Sequence, residues 1–240
     1  MIKVDRLKKM VITEKKPVLN DISFQMERGE MIGLIGASGS GKSLLLGCLA
    51  MRQKWDGGRF LIDGEDVLKQ SGGKRKVRRE WAYLEQNPVL NQNRTALKNV
   101  LVGQYSQTPL WRMVTGMVRS DDYMGAMDTI EDLGLLDKAK RKAGELSGGE
   151  KQRIAIARAL VHGANVILAD EPVMGLDPKS AENVLQTLRT LCDEEGLTVV
   201  AVIPLELAEK YCTRIIGLAG GQIAVDVTGR RLTHGEKNRL

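Results

Sequence analysis

Met31-Ile32-Gly33-Leu34-Ile35 runs without a polar side chain into Gly36-Ala37-Ser38-Gly39-Ser40-Gly41-Lys42-Ser43, and Lys42 to Met51 then has helical composition. The middle run fits the pattern G-x-x-x-x-G-K-S/T, and strand, glycine-rich loop and helix are the context that pattern requires. Glycines let the backbone wrap a phosphate with its amide N–H groups pointing inward, and the helix adds the positive end of its dipole. Gly36, Ser38, Gly39, Ser40, Gly41, Lys42 and Ser43 are therefore candidate nucleotide-binding residues. Lys42 is suited to reach the β- and γ-phosphates, and the Ser43 hydroxyl to ligate Mg²⁺.

A second decisive run lies far downstream. Leu146-Ser147-Gly148-Gly149-Glu150 is followed by Lys151-Gln152-Arg153 and then by Ile167-Leu168-Ala169-Asp170-Glu171-Pro172, an apolar strand ending in two carboxylates. Beside a phosphate loop, Asp170 suits Mg²⁺ coordination and Glu171 suits polarising an attacking water as general base. Ser147 is well placed as the N-cap of the helix it opens.

The rest of the chain organises around these runs. Val18 to Phe24 alternates like a strand, with a turn expected at Glu27-Arg28-Gly29-Glu30. Gly57 to Gly64 reads as a strand closed by a turn, and Trp81 to Leu84 as another short strand. From about Thr95 to Gly144 apolar residues fall at helical spacing. Met113, Met117, Met124 and Met127 are read as packing residues rather than a cofactor box. Beyond Val161 the pattern is strand, helix (Pro178–Glu194), strand (Thr198–Ile203), helix (Leu205–Tyr211), strand (Arg214–Leu218), which implies a parallel sheet covered by helices. Gly220-Gly221 turns into Gln222–Val227 as a hairpin, and the basic, polar run from Gly229 is expected to be a mobile tail.

Composition narrows the classes. The 240 residues are enough for a large core, and 28% are charged; mean hydropathy is −0.20. No apolar run reaches the roughly 18–20 residues of a membrane-spanning helix, and the N-terminus lacks a signal peptide's apolar segment. Cys48, Cys192 and Cys212 have no metal-ligand spacing and read as reduced thiols. The net charge is +6, with its densest source at Lys74-Arg75-Lys76 and Arg78-Arg79. No aromatics interleave to stack bases, so a solvated loop or lipid-proximal face is expected there and nucleic acid is not an expected partner.

Together the motifs resemble the ATP-binding subunit of ABC transporters, along essentially the whole chain. The resemblance implies an α/β fold: a P-loop NTPase core with a mostly parallel sheet, an N-terminal antiparallel β-subdomain and an inserted α-helical subdomain. Residues 1–30 and 57–84 would form the β-subdomain, about 88–146 the helical subdomain, 31–56 and 147–228 the core, and 229–240 the tail. It implies ATP and Mg²⁺ as ligands, with Gln86 sensing Mg²⁺ and the lytic water. It also implies that Ser147, Gly148 and Gly149 bind, in trans, the γ-phosphate held by a second ATPase subunit, the pair expected to be a homodimer. Asp177, in Gly175-Leu176-Asp177, matches a loop that crosses the dimer interface. A narrower likeness lies in Asn99–Gly103, Thr108–Arg112, Ile167–Val173 and Arg214–Leu218, which look like the phosphonate-importer ATP-binding subunit. Membership would imply transmembrane permease subunits, a substrate-binding protein, and a peripheral place on the cytoplasmic face of the membrane.

Two positions depart from the family pattern. The switch histidine expected just after Thr198–Val202, near Ile203-Pro204, is missing; the histidines are His162 and His234. No aromatic residue precedes Phe24 to stack on adenine, so Val11, Ile12 or Lys16 would have to support the base, with weaker base selectivity. Three functions stay open at this point: an importer ATPase, a soluble accessory ATPase of phosphonate breakdown, and a regulatory subunit that binds ATP and hydrolyses it slowly.

Overall fold

The computed structural model describes residues 1–10, 17–103 and 120–240, with the side chains of residues 120 and 121 excepted. Its backbone is built on two sheets. β1 (Ile2–Met10), β2 (Pro17–Met26), β4 (Gly57–Ile62) and the short β5 (Glu65–Asp66) form a four-stranded antiparallel sheet in the order β2-β1-β4-β5. The second sheet has six strands in the order β10-β9-β3-β8-β7-β6. It comprises β3 (Met31–Ile35), β6 (Trp81–Leu84), β7 (Val166–Asp170), β8 (Thr198–Val202), β9 (Arg214–Ala219) and β10 (Gln222–Thr228). All its pairings are parallel except the β9–β10 hairpin.

Among the described residues the α-helices are α1 (Lys42–Leu49), α2 (Gly73–Glu80), α3 (Ala96–Leu101), α4 (Ser120–Asp132), α5 (Gly148–Val161), α6 (Pro178–Glu195), α7 (Leu205–Tyr211) and the terminal α8 (His234–Lys237). Strand alternation sorts the core into two layers. Ile167, Ala169, Val199 and Ala201 face one way, into a cluster shared with α3, α5 and α6. Ile32, Leu34, Leu168, Val200 and Val202 face the other, where α1 and the antiparallel sheet close over them. In that second layer Phe60 is fully buried between Trp55, 5.2 Å away and stacked, and Trp81, 5.5 Å away edge-on.

Several expectations are corrected. Trp81–Leu84, grouped by sequence with the β-subdomain, is the edge strand of the parallel sheet, because its backbone pairs with Val166–Ala169. Of the solvated loop or lipid-proximal face expected for the basic run, the loop is corrected: residues 74–79 lie in helix α2, pinned by buried Gly73 and Val77 while Lys74, Arg75, Lys76, Arg78 and Arg79 stay at the surface. α1 stops at Leu49, short of Met51, which takes a left-handed φ of 55°. The segment after Gly229, expected to be a mobile tail, carries α8 with its own capping box at Thr233 and Glu236. Buried Leu232 and the Lys237–Glu209 pair at 3.1 Å tie this segment to α7. Met127 packs on the core, but Met124 is exposed, and Met113 and Met117 lie outside the described residues. Among the described residues no helix is long and apolar enough to cross a membrane.

Candidate functional site

Register decides what gathers at the C-terminal rim of the parallel sheet. Leu84 pairs with Ala169, Asp170 with Val202, and Leu34 with Val202 in turn. The residues that follow each strand therefore emerge side by side: Glu85-Gln86 after β6, Glu171 after β7, Ile203-Pro204 after β8 and the glycine-rich loop after β3. Open parallel sheets place their binding crevices on this rim. A cleft of about 850 Å³ lies there, lined by loop residues Gly36, Ser38, Gly39, Gly41, Lys42 and Ser43, by Glu171, and by a wall that includes Ile203, Pro204 and Leu207.

The loop is shaped for close approach. Gly36 has a φ of 143°, and a Cβ there would collide with the Leu218 carbonyl and sit 2.8 Å from Ser40 Oγ. Gly41 is left-handed at φ 101° and starts α1 with no side-chain cap. Among the described residues no side chain caps the amide donors at the start of α1, which is what an anion would use. Lys42 Nζ lies across the loop, donating to the carbonyls of Gly36 at 2.9 Å and Ala37 at 2.8 Å. Ser40, 7% exposed, has its hydroxyl buried without a partner. A cradle with a cation across it, a free helix start and an orphaned hydroxyl fits a polyphosphate.

Side-chain oxygens stand beside the loop. Ser43 Oγ donates to Asp170 Oδ1 at 2.9 Å, and the Tyr83 hydroxyl donates to Asp170 Oδ2 at 2.8 Å. Burial first, and then the Asp170 carboxylate it bonds, push the Tyr83 phenol well above its ordinary pKa, so it remains a donor. Among the described residues no cluster of three or more His, Cys, Asp or Glu could hold a metal. A serine hydroxyl and one carboxylate instead suit Mg²⁺, which keeps several waters and borrows phosphate oxygens. Glu171 follows with a left-handed φ of 52°, turning its side chain out of the strand direction and into the cleft.

The remaining sequence-derived residues divide. Gln86 is exposed at the surface just past β6 and is not among the cleft-lining residues. Its carbonyl and that of Glu85 both accept from Gln152 Nε2, at 2.8 and 3.1 Å, so a buried amide on α5 fixes this loop. Ser147 caps α5 in a reciprocal box: Glu150 N–H donates to Ser147 Oγ, and Ser147 N–H to Glu150 Oε2. Ser147, Gly148 and Gly149 do not line the cleft; Gly148 and Gly149 abut Leu176 and Ser180 instead, where a Cβ would come within 2.6 and 2.9 Å. Asp177 caps α6 through the Ser180 amide at 3.0 Å, and this bonding holds its carboxyl below the usual range.

Val11, Ile12 and Lys16, expected near adenine, and Thr108–Arg112 lie outside the described residues. His162 caps the end of α5, with Nδ1 2.9 Å from the Gly103 carbonyl. Burial pushes the Cys48 thiol up to about 11 and those of Cys192 and Cys212 to about 12; Cys48 and Cys192 are core thiols, and Cys212 is partly buried against the core. Sequence reasoning missed Tyr83 and Gln152. The alternation Trp-Ala-Tyr-Leu beside β7 was the available signal for Tyr83; Gln152 had none without the fold.

The fold and the cleft define a phosphate-loop nucleotide-binding domain. A family described as ABC transporter matches residues 19–174. The phosphonates import ATP-binding protein PhnC of Stutzerimonas stutzeri is 40% identical, over 94% of this chain and 83% of its own length. PhnC 1 of Pseudomonas aeruginosa is 38% identical over 100% of this chain and 88% of its own. The dimeric post-hydrolysis structure of the ATP-binding cassette MJ0796, bound to ADP and Pi, superposes with a TM-score of 0.79. It shares 30% identity and covers 97% of this chain and 100% of that one. The chain belongs to the ABC transporter family, as an ATP-binding subunit, and its ABC ATPase domain implies ATP hydrolysis.

Proposed function

We propose that the chain is the ATP-hydrolysing subunit of an importer for phosphonate or a related small anion, acting as a dimer beneath transmembrane permease subunits on the cytoplasmic face of the membrane. The relatives named as phosphonate importers, near 40% identity across almost the whole chain, support the substrate class. A substrate-binding protein would deliver the anion, and nucleic acid has no part.

In this reading the loop amides from Gly36 to Ser43 wrap the ATP phosphates, with Ser38, Gly39, Ser40 and Gly41 forming the cradle. Lys42 leaves the Gly36 and Ala37 carbonyls for the β- and γ-phosphate oxygens. Ser43, Asp170 and Gln86 would hold Mg²⁺, and the bound cation would neutralise phosphate charge. Glu171 takes a proton from the attacking water. Ser147, Gly148 and Gly149 meet the γ-phosphate of the partner's site, a reading consistent with their place outside the cleft of their own chain. Asp177 lies in the loop between the two sites. ATP binding at both sites draws the dimer closed, and hydrolysis releases it.

The observation that carries this reading is the joint presence of Lys42, Ser43 and Glu171 on one cleft, with Asp170 bonded to Ser43. The test is phosphate release by wild type and Glu171→Gln, together with recovery of a polytopic membrane partner from the native host. Equal release by both proteins overturns the catalytic assignment; absence of a membrane partner favours a soluble accessory role.

A second reading has a specific observation behind it. Ile203 and Pro204 stand on the cleft wall where the family pattern has a histidine, so one polar contact to the γ-phosphate is missing. This supports slow turnover in a subunit that regulates by binding ATP. Measured turnover well under one per minute with permease present would favour it.

A further inference from the structure

We propose that Tyr83 is a positioning residue for Asp170: its hydroxyl fixes one carboxylate oxygen so that the other stays turned toward Ser43 and the divalent cation that accompanies ATP. The inference rests on the cation-binding reading of Ser43 and Asp170 given above.

The two oxygens of Asp170 have separate hydroxyl partners. Oδ1 accepts from Ser43 at 2.9 Å at the exposed mouth of the site, and Oδ2 accepts from Tyr83 at 2.8 Å from the half-buried side. The torsion that orients a carboxylate plane is broad and two-fold, so a single partner leaves the plane free to turn. Partners on both oxygens remove that freedom. A cation here would be held by Oδ1 and by Ser43 Oγ, whose proton would then turn away. That would break the Ser43–Asp170 hydrogen bond and leave the Tyr83 bond on the other oxygen. Tyr83 is thus the partner that persists in the loaded state.

The phenol is itself held. The Arg52 guanidinium lies 4.1 Å from its ring centroid, and Arg52 Nη1 bonds Glu85 Oε1 at 2.8 Å. Arg52 follows the end of α1, and Ser43 stands in its first turn. Glu85 and Tyr83 flank the end of β6, and Asp170 ends β7. The contacts form a closed circuit through one helix and two adjacent strands, and Tyr83 is where the circuit meets the carboxylate. Partners of this kind commonly account for about ten- to hundredfold in metal affinity.

The test is ATP affinity in the Glu171→Gln background, measured with a fluorescent ATP analogue in EDTA and across a Mg²⁺ titration. Tyr83→Phe keeps the ring and removes the hydroxyl. The expected result is a rise of about tenfold in the Mg²⁺ concentration giving half of the metal-dependent gain, with affinity in EDTA unchanged. An unmoved Mg²⁺ curve overturns the inference. So does an equal loss with and without Mg²⁺, which would mark Tyr83 as packing only. Asp170→Asn separates this failure from failure of the underlying reading. If Asp170→Asn abolishes the Mg²⁺ gain while Tyr83→Phe leaves it alone, only the role of Tyr83 falls. If Asp170→Asn also leaves it alone, the cation site is wrong and the inference goes with it.

Discussion

The starts of α1 and α5 are built in opposite ways. α1 begins at left-handed Gly41 with no side-chain cap, behind a loop whose Lys42 reaches back to carbonyls. α5 begins at Ser147, whose hydroxyl and whose amide are both satisfied by Glu150. Both sequences are rich in Gly and Ser, yet one helix start is left open for a ligand and the other is closed by the protein itself. An open start leaves its first-turn donors to water or to an anion, whereas a capped start has part of that demand met by the protein itself.

The largest effect is expected at Glu171. Glu171→Gln should reduce hydrolysis by about 10²–10⁴-fold, the usual worth of a general base, while ATP binding persists. Phosphate release and equilibrium binding, measured on one preparation, check both halves. At the open start, Lys42→Ala should weaken ATP binding about 100-fold, corresponding to two lost charge-assisted hydrogen bonds. A loss under threefold would mean that the loop amides alone hold the phosphates.

The closed start should respond differently. Ser147→Ala should lower stability by about 1 kcal/mol through the lost cap, seen in the urea midpoint, with ATP affinity of the isolated subunit unchanged. If affinity falls as far as it does in Lys42→Ala, Ser147 acts within its own chain's site. The smallest effect concerns Asp177, which caps α6. The Ser180 hydrogen bonds lower its folded-state pKa. Its contribution to stability is therefore present above the unfolded value and lost as pH falls through the folded one. The difference in urea midpoint between wild type and Asp177→Ala should shrink below about pH 4. A difference constant from pH 7 to pH 3 would show that the charge is irrelevant to the cap.

What the sequence revealed and what it hid follow from range. The loop Gly36–Ser43, the strand ending at Asp170-Glu171 and the cap at Ser147 are written in consecutive residues, so spacing exposed them. Trp81–Leu84 was assigned to the wrong sheet because four residues carry no sign of which strand they will pair with. α2 was missed because one apolar residue, Val77, holds a helix otherwise made of solvated charge. The segment beyond Gly229 looked mobile because its anchor is Leu232 together with Glu209, a carboxylate more than twenty positions upstream. Tyr83 and Gln152 act across 87 and about 66 positions. Their roles exist only once β6 lies beside β7 and α5 packs under the loop after β6.

Glu171 has a consequence of a different kind. It is one of five described non-glycine residues with positive φ, a conformation that L-residues adopt at a cost of about 1–2 kcal/mol. Glycine would adopt that φ without steric strain, offset in part by its freer unfolded chain, so a Glu171→Gly protein should melt no lower than wild type while hydrolysing ATP far more slowly.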